Sequence, residues 1–158
     1  MSALSFRTAT KEDITSCLDI LMDSILGEEY FERDEAEAIL TEGQAKKDVH
    51  VALLDGEVVG FFRLVLDGMF LVFAYINLLA IKTDCRGSGI GTKMLAEAEH
   101  LIREQPGYPD IKKSFLLVGK LNRKAKHFYE KNGYKKISTI DDLFSRGDTE
   151  YLMMKELG

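Results

Sequence analysis

Residues 79–92 read Leu79-Ala80-Ile81-Lys82-Thr83-Asp84-Cys85-Arg86-Gly87-Ser88-Gly89-Ile90-Gly91-Thr92, a stretch that carries the chain from a strand into a helix. Three alternating glycines, Gly87, Gly89 and Gly91, remove the Cβ atoms that would keep a backbone away from a bound anion. The first turn of the helix beyond them offers unpaired N–H groups and the positive end of the helix dipole. Together these features suit phosphate or pyrophosphate, and Arg86 adds a fixed charge at the mouth. Two familiar phosphate loops do not fit. A Walker A loop needs Gly-Lys-Ser/Thr, whereas this chain has Gly91-Thr92-Lys93. The dinucleotide fingerprint needs a glycine where Thr92 stands, inside a βαβ unit, and the strand here follows a hairpin. Glycines also serve tight turning and helix packing; three of them with an arginine between strand and helix favour phosphate binding.

Upstream, Phe6–Ala9 reads as a short strand. Thr10 suits a helix N-cap, with Glu12 and Asp13 in the first turn. Ile14, Cys17, Leu18, Leu21, Met22 and Ile25 recur at helical spacing, and Gly27 is expected to close that helix. A second helix is expected over Arg33–Ala45. Val49–Leu54 and Val58–Leu66 flank the hairpin signal Asp55-Gly56, and Asp67-Gly68 reads as a second turn, leading into a strand over Met69–Ile81. Downstream, Thr92–Arg103 shows one apolar helical face. Ser114–Val118 reads as a strand. Asn122 caps a helix carrying Ala125, Phe128 and Tyr129 that Gly133 ends, and Tyr134–Ile140 and Thr149–Met154 read as closing strands. The expected fold is α+β: a mixed, mostly antiparallel sheet flanked by helices, in one domain spanning residues 1–158.

The composition fits that size. The chain has 158 residues, 46% hydrophobic and 30% charged, enough to bury a core without staples. A net charge of −5 argues against a broad nucleic-acid footprint, and an acidic chain draws cationic partners through its summed field. The longest apolar stretch, Met69–Ile81, is too short to span a bilayer, and the N-terminus lacks the apolar core of a signal peptide. Cys17 and Cys85 are the only cysteines, so neither a disulfide framework nor a metal site is expected, and the default setting is cytoplasmic.

Arg86-x-x-Gly89-x-Gly91 matches the Gln/Arg-x-x-Gly-x-Gly/Ala motif of the GNAT superfamily of N-acetyltransferases. Residues 122–134, Asn-Arg-Lys-Ala-Lys-His-Phe-Tyr-Glu-Lys-Asn-Gly-Tyr, resemble that family's second motif, Asn-x-x-Ala-x-x-Phe-Tyr-x-Lys-x-Gly-Phe/Tyr. The element order resembles the family throughout, and the motifs cover about Leu78 to Tyr134. The resemblance implies acetyl-CoA as co-substrate. The backbone of Leu79 and Ile81 would pair with its pantetheine arm as an added strand does. Arg86, Gly87, Ser88, Gly89, Ile90, Gly91 and Thr92 would hold its pyrophosphate. Asn122 would contact the cofactor as well as cap its helix. Tyr129 would protonate the departing thiolate, although an aromatic beside Phe128 also packs well in a core.

The chain departs from the family in one place. Many members carry a glutamate on the strand before the glycine loop, whereas residues 73–79 read Phe-Ala-Tyr-Ile-Asn-Leu-Leu. Water relays, or a carboxylate such as Glu28 or Glu29, then stand as candidate bases. His50, His100 and His127 are scattered and read as surface or packing residues. Cys85 adjoins the loop, but nothing in the sequence supplies a base to activate it. The acceptor groove of the family falls near Glu28–Glu37, which holds six acids; Glu28 and Glu29 are the candidate acceptor contacts, against a merely solvated helix face. The expected acceptor is a primary amine on a small molecule or peptide. A non-catalytic acyl-CoA sensor and a protein N-terminal or lysine acetyltransferase stay open as alternatives, and so does a homodimer.

Overall fold

The computed structural model describes residues 3–158. β1 (Leu4–Thr8) is followed by a 3₁₀ turn, Lys11–Asp13, that runs into α1 (Ile14–Met22). Then come α2 (Ile25–Tyr30), α3 (Arg33–Ala45), β2 (Val49–Leu54), β3 (Glu57–Met69) and β4 (Phe73–Ile81). A second 3₁₀ turn, Thr83–Cys85, precedes α4 (Ile90–Arg103). β5 (Lys112–Gly119), α5 (Arg123–Lys131), β6 (Lys135–Asp141) and β7 (Thr149–Leu157) complete the chain. The strands form one sheet in the order β1-β2-β3-β4-β5-β7-β6. β4 and β5 pair in parallel, while β1–β2, β2–β3, β5–β7 and β6–β7 are antiparallel. This is the mixed, mostly antiparallel sheet flanked by helices that the sequence leads one to expect.

Two compact units divide the chain: residues up to Leu64 with Leu78–Ala98, and Val65–Asn77 with Glu99–Gly158. In the first, the helical repeat of α1 buries Cys17, Leu18 and Leu21 in a core with Leu40, Val51 and Phe61. Each such side chain withdrawn from water contributes about 1.5–3 kcal/mol. The entry to α1 is fixed by charge as well as packing. Asp13 accepts the Thr10 amide at 2.7 Å and pairs with Arg7 at 2.5 Å. α4 lies close on the strands here, because a Cβ on Gly60 would stand 2.8 Å from Met94 Sδ and 3.0 Å from the Ala80 carbonyl.

One local expectation fails in this unit. α1 stops at Met22, and Ser24 caps a separate short helix by accepting the Gly27 amide at 3.3 Å. Gly27 does not end a helix. It is buried inside α2, where a Cβ would stand 2.2 Å from the Leu21 carbonyl.

A second correction falls in the other unit. Asp67-Gly68 lies within β3, and the hairpin turns instead at Phe70-Leu71, whose φ angles are 56° and 67°. The Val72 amide donates to the Met69 carbonyl at 3.3 Å, closing a tight two-residue turn. Gly68 serves close approach rather than reversal, since a Cβ there would lie 2.7 Å from Tyr75 Cβ on β4. A buried polar cluster of this unit surrounds Tyr134, 1% exposed. Its hydroxyl donates to Glu99 Oε2 at 3.1 Å and accepts from Ser114 Oγ at 2.7 Å. Lys155 Nζ donates to Glu99 Oε1 at 2.8 Å.

Candidate active site

The glycine loop is built as its sequence requires. Lys82 leaves β4 tied to Glu57 by a 2.8 Å ion pair, and the Thr83 hydroxyl donates to Asp23. Gly87 and Gly89 have φ of 79° and 85°, a left-handed backbone that costs other residues about 1–2 kcal/mol. A Cβ on either would meet open space, so backbone conformation rather than crowding demands glycine. The first helical bond of α4 runs from the Lys93 amide to the Gly89 carbonyl at 3.3 Å. The amides of Ile90, Gly91 and Thr92 therefore lie ahead of the hydrogen-bonded ladder, at the positive end of the helix. The helix begins at Ile90, two residues before the expected Thr92, which brings Gly91 into its first turn.

Side chains around the loop hold it in shape. Ser88 Oγ donates to the Cys85 carbonyl at 2.5 Å, and Arg86 Nε donates to the Ile81 carbonyl at 3.2 Å. The remaining guanidinium N–H groups of the exposed Arg86 are donors suited to a phosphate. Leu79 and Ile81 occupy the last residues of β4, half-buried on one face, while Leu78 and Ala80 are buried on the other. Cys85 is not activated: desolvation first, then Asp84, holds its thiol above the usual range.

In the other unit, Tyr129 stands on α5, a helix capped at both ends. Asn122 Oδ1 accepts the Ala125 amide at 3.2 Å, the N-cap role foreseen for it. At the far end Gly133, φ 95°, lets its amide reach the Glu130 carbonyl at 3.1 Å. The half-buried Tyr129 ring packs edge-on against Phe128 and Tyr134, with centroids 5.2 and 5.8 Å away. Burial, and next Tyr75, push its phenol well above the ordinary range.

Parallel pairing of β4 with β5 covers Ala74–Ile76 against Ser114–Leu116 and stops one residue short of Asn77 and Leu117, although both strands run on. Tyr75 pairs with Phe115, and along β5 Leu117 and Gly119 pair with Leu152 and Glu150 of β7. Paired residues share a face, so Tyr75, Phe115, Leu117, Leu152 and Glu150 point to one side of the sheet. Burial raises the Tyr75 phenol, a hydrogen bond with Asn77 opposes that rise, and the Glu150 charge adds to it.

Sequence reasoning passed over Tyr75 and Glu150. The available signal was the alternation of β7, which sets Glu150 in phase with Leu152 and Met154. Glu28 and Glu29 lie exposed on α2. His50 stacks on Phe62 at 5.0 Å in a packing role. Among the described residues, no group of His, Cys, Asp and Glu could hold a metal ion, and no helix is long and apolar enough to cross a membrane.

Comparison with known proteins bears on these elements. The model of a family described as an acetyltransferase (GNAT) domain matches residues 45–136, a range that includes the glycine loop, Asn122 and Tyr129. An uncharacterised N-acetyltransferase of Methanocaldococcus jannaschii is 32% identical over 110 residues, 68% of this chain and 65% of the relative. The blasticidin-S acetyltransferase of Streptomyces morookaense is 31% identical over 83 residues, 52% of this chain and 57% of the relative. The chain thus matches less than two thirds of the length of either relative. The crystal structure of Ard1 from Thermoplasma volcanium has the same fold, with a TM-score of 0.83 at 24% identity over 99% of both chains.

Proposed function

Since this chain belongs to the GNAT acetyltransferase family, its model matching residues 45–136, we propose that it moves an acetyl group from acetyl-CoA to a primary amine of a small molecule or peptide. The observation that carries the reading is the loop itself. Gly87 and Gly89 hold left-handed backbone facing open space, directly before the free amides that open α4. A pyrophosphate meets N–H donors, a helix dipole and Arg86 there, without a Cβ in its way.

In this reading residues 1–158 work as one acetyltransferase domain. The backbone of Leu79 and Ile81 receives the pantetheine arm, Arg86–Thr92 hold the pyrophosphate, and Asn122 adds its side-chain amide. Bound acetyl-CoA supplies the thioester. The neutral amine attacks its carbonyl carbon, a C–N bond forms and the C–S bond breaks. Tyr129 gives its proton to the sulfur, and the phenolate recovers one from the new amide nitrogen. Its depressed acidity keeps the phenol protonated, and so a donor, throughout the neutral and mildly alkaline range.

Glu28 and Glu29 on α2 form an acidic rim that draws the acceptor as a cation. Attraction by exposed carboxylates is screened by salt, with a Debye length of ~8 Å near 0.15 M. A cytoplasmic setting goes with this reading, supported by the two free thiols, Cys17 and Cys85. Sedimentation velocity separates a monomer from a homodimer.

The test is release of free CoA from acetyl-CoA with spermidine, lysine methyl ester or a tetrapeptide with a free N-terminus, against glutamate and the N-acetylated peptide. The expected result is amine-dependent release that favours the cations, falls as salt rises, and shows a raised KM for the cation in Glu28→Lys/Glu29→Lys. Binding of acetyl-CoA without release under any amine contradicts the enzyme reading and points to a sensor. Equal rates with the anion remove the acidic rim from the account.

A further inference from the structure

Six large apolar side chains are more than half exposed among the described residues, and four of them stand at one end of β4 and β5. Phe70 and Leu71, 74% and 85% exposed, form the turn that leads into β4. Tyr108 and Ile111, 81% and 54% exposed, lie on the loop that leads into β5. The parallel register sets Ala74 beside Ser114. Leu71 lies three residues before Ala74 and Ile111 three before Ser114, so the two segments come level at the same end of adjacent strands. The patch has a firm base. The Phe70 ring meets the buried Phe115 ring edge-on at 6.1 Å, and Phe73 meets Phe115 at 5.9 Å.

The turn is also an unusual one. Its backbone is left-handed at both central residues, φ 56° and 67°, a geometry that suits Asn-Gly and strains larger side chains. Asn-Gly would relieve that strain and leave a polar surface. Phe70-Leu71 instead combines strain with apolar exposure, and both are explained if the tip is covered when the protein is assembled.

We propose that a second copy of this chain covers this end, in a two-fold dimer whose Phe70-Leu71 turns and Tyr108–Ile111 loops face each other. Area and charge select that occupant. The four side chains together expose roughly 500 Å², the upper range for the largest apolar patch on a typical monomer. Two such patches set face to face withdraw about 1,000 Å² from water, the size at which a specific interface is sustained. The charges of the two segments, Asp67 and Asp110 against Lys112 and Lys113, cancel. A lipid surface or a polyanion is held by an excess of Lys and Arg around the apolar residues, which this end lacks. A two-fold axis sets a surface against itself, and a balanced rim lets the acids of one copy face the lysines of the other. Dimerisation here requires nothing of the acetyl-transfer chemistry.

The experiment is sedimentation velocity of the full chain from about 5 to 200 µM, where an interface of this size associates with a micromolar Kd. The parent is compared with Phe70→Asn/Leu71→Gly and with Ile111→Glu. The parent should pass from monomer to dimer over that range. Each variant should raise Kd at least tenfold. Phe70→Asn/Leu71→Gly should melt cooperatively, at a temperature no lower than the parent's, because its turn is relaxed. A parent that stays monomeric throughout overturns the proposal. So does a folded variant whose Kd stays within about threefold of the parent's, since the interface then lies elsewhere. A monomeric parent that co-sediments with vesicles of phosphatidylcholine and phosphatidylserine assigns the patch to lipid, and also overturns it. If Phe70→Asn/Leu71→Gly shows no cooperative melt, Ile111→Glu decides by the same measure.

Discussion

The backbone amide of Tyr134 donates to the carbonyl of Tyr129 at 3.0 Å. With the bond from the Gly133 amide to Glu130, this closes the end of α5 in a cap that only a left-handed residue completes. The position of the Tyr129 ring therefore depends on Gly133. In Gly133→Ala, the φ of 95° strains any L side chain, and its Cβ would stand 3.1 Å from Lys155 Cε. We expect a stability loss of about 1–2 kcal/mol by urea denaturation. kcat should also fall, with little change in acetyl-CoA affinity, because the cap is remote in sequence from the glycine loop. Unchanged kcat in a folded variant would show that the cap does not govern the Tyr129 ring.

Tyr129→Phe removes the hydroxyl and keeps the ring contacts with Phe128 and Tyr134. Loss of the acid should lower kcat by roughly 10²–10⁴ while acetyl-CoA binding is retained. Because burial and Tyr75 raise the phenol, the parent should show no loss of activity from Tyr129 ionisation below about pH 10. Steady-state kinetics across that range, under conditions where chemistry limits turnover, provide the check.

The Arg7–Asp13 pair makes a prediction about acid stability. The hydrogen bond from Arg7 holds the Asp13 carboxyl below its ordinary 3.8, with Thr10 adding to the effect against a desolvation cost. A carboxylate whose folded-state pKa is depressed stabilises the fold above its unfolded pKa. That contribution is lost as pH falls through the lower, folded value. Asp13→Asn should therefore be less stable than the parent at pH 7. The gap should narrow as both are acidified below about pH 4, as followed by thermal melts. A gap that does not change with pH would assign the loss to the capping hydrogen bonds rather than to charge.

How far the sequence discloses this molecule depends on the range of the forces involved. α3, α5 and the Asp55-Gly56 hairpin follow from local periodicity and capping, and the structure has them at nearly the expected bounds, while α1 starts as expected and stops early, at Met22. Asp67-Gly68 misled because its glycine answers to Tyr75 on the neighbouring strand, a contact that no local rule contains. Gly27 misled in the same way, its space being set by the Leu21 carbonyl. The left-handed glycine loop before α4 and the capped helix that carries Tyr129 were legible because each lies in a contiguous motif. The face that Tyr75 and Glu150 share was not, since it exists only through the registers of β4 with β5 and β5 with β7.

The measurement that bears most directly on the account is the melting temperature of the parent and of Gly89→Val with and without acetyl-CoA, with ATP and NAD as controls. At 100 times Kd, a ligand that binds only the folded state stabilises it by about 2.7 kcal/mol. For a chain this size that is a rise of roughly 5–10 °C. In the free protein a side chain at position 89 meets open space, so the variant should fold with only the strain of its φ of 85°. We expect the parent to show the full shift with acetyl-CoA and little with ATP or NAD, and Gly89→Val to melt cooperatively with that shift largely abolished. A parent that responds to ATP or NAD but not to millimolar acetyl-CoA would contradict the account. So would a folded Gly89→Val that gains as much from acetyl-CoA as the parent does.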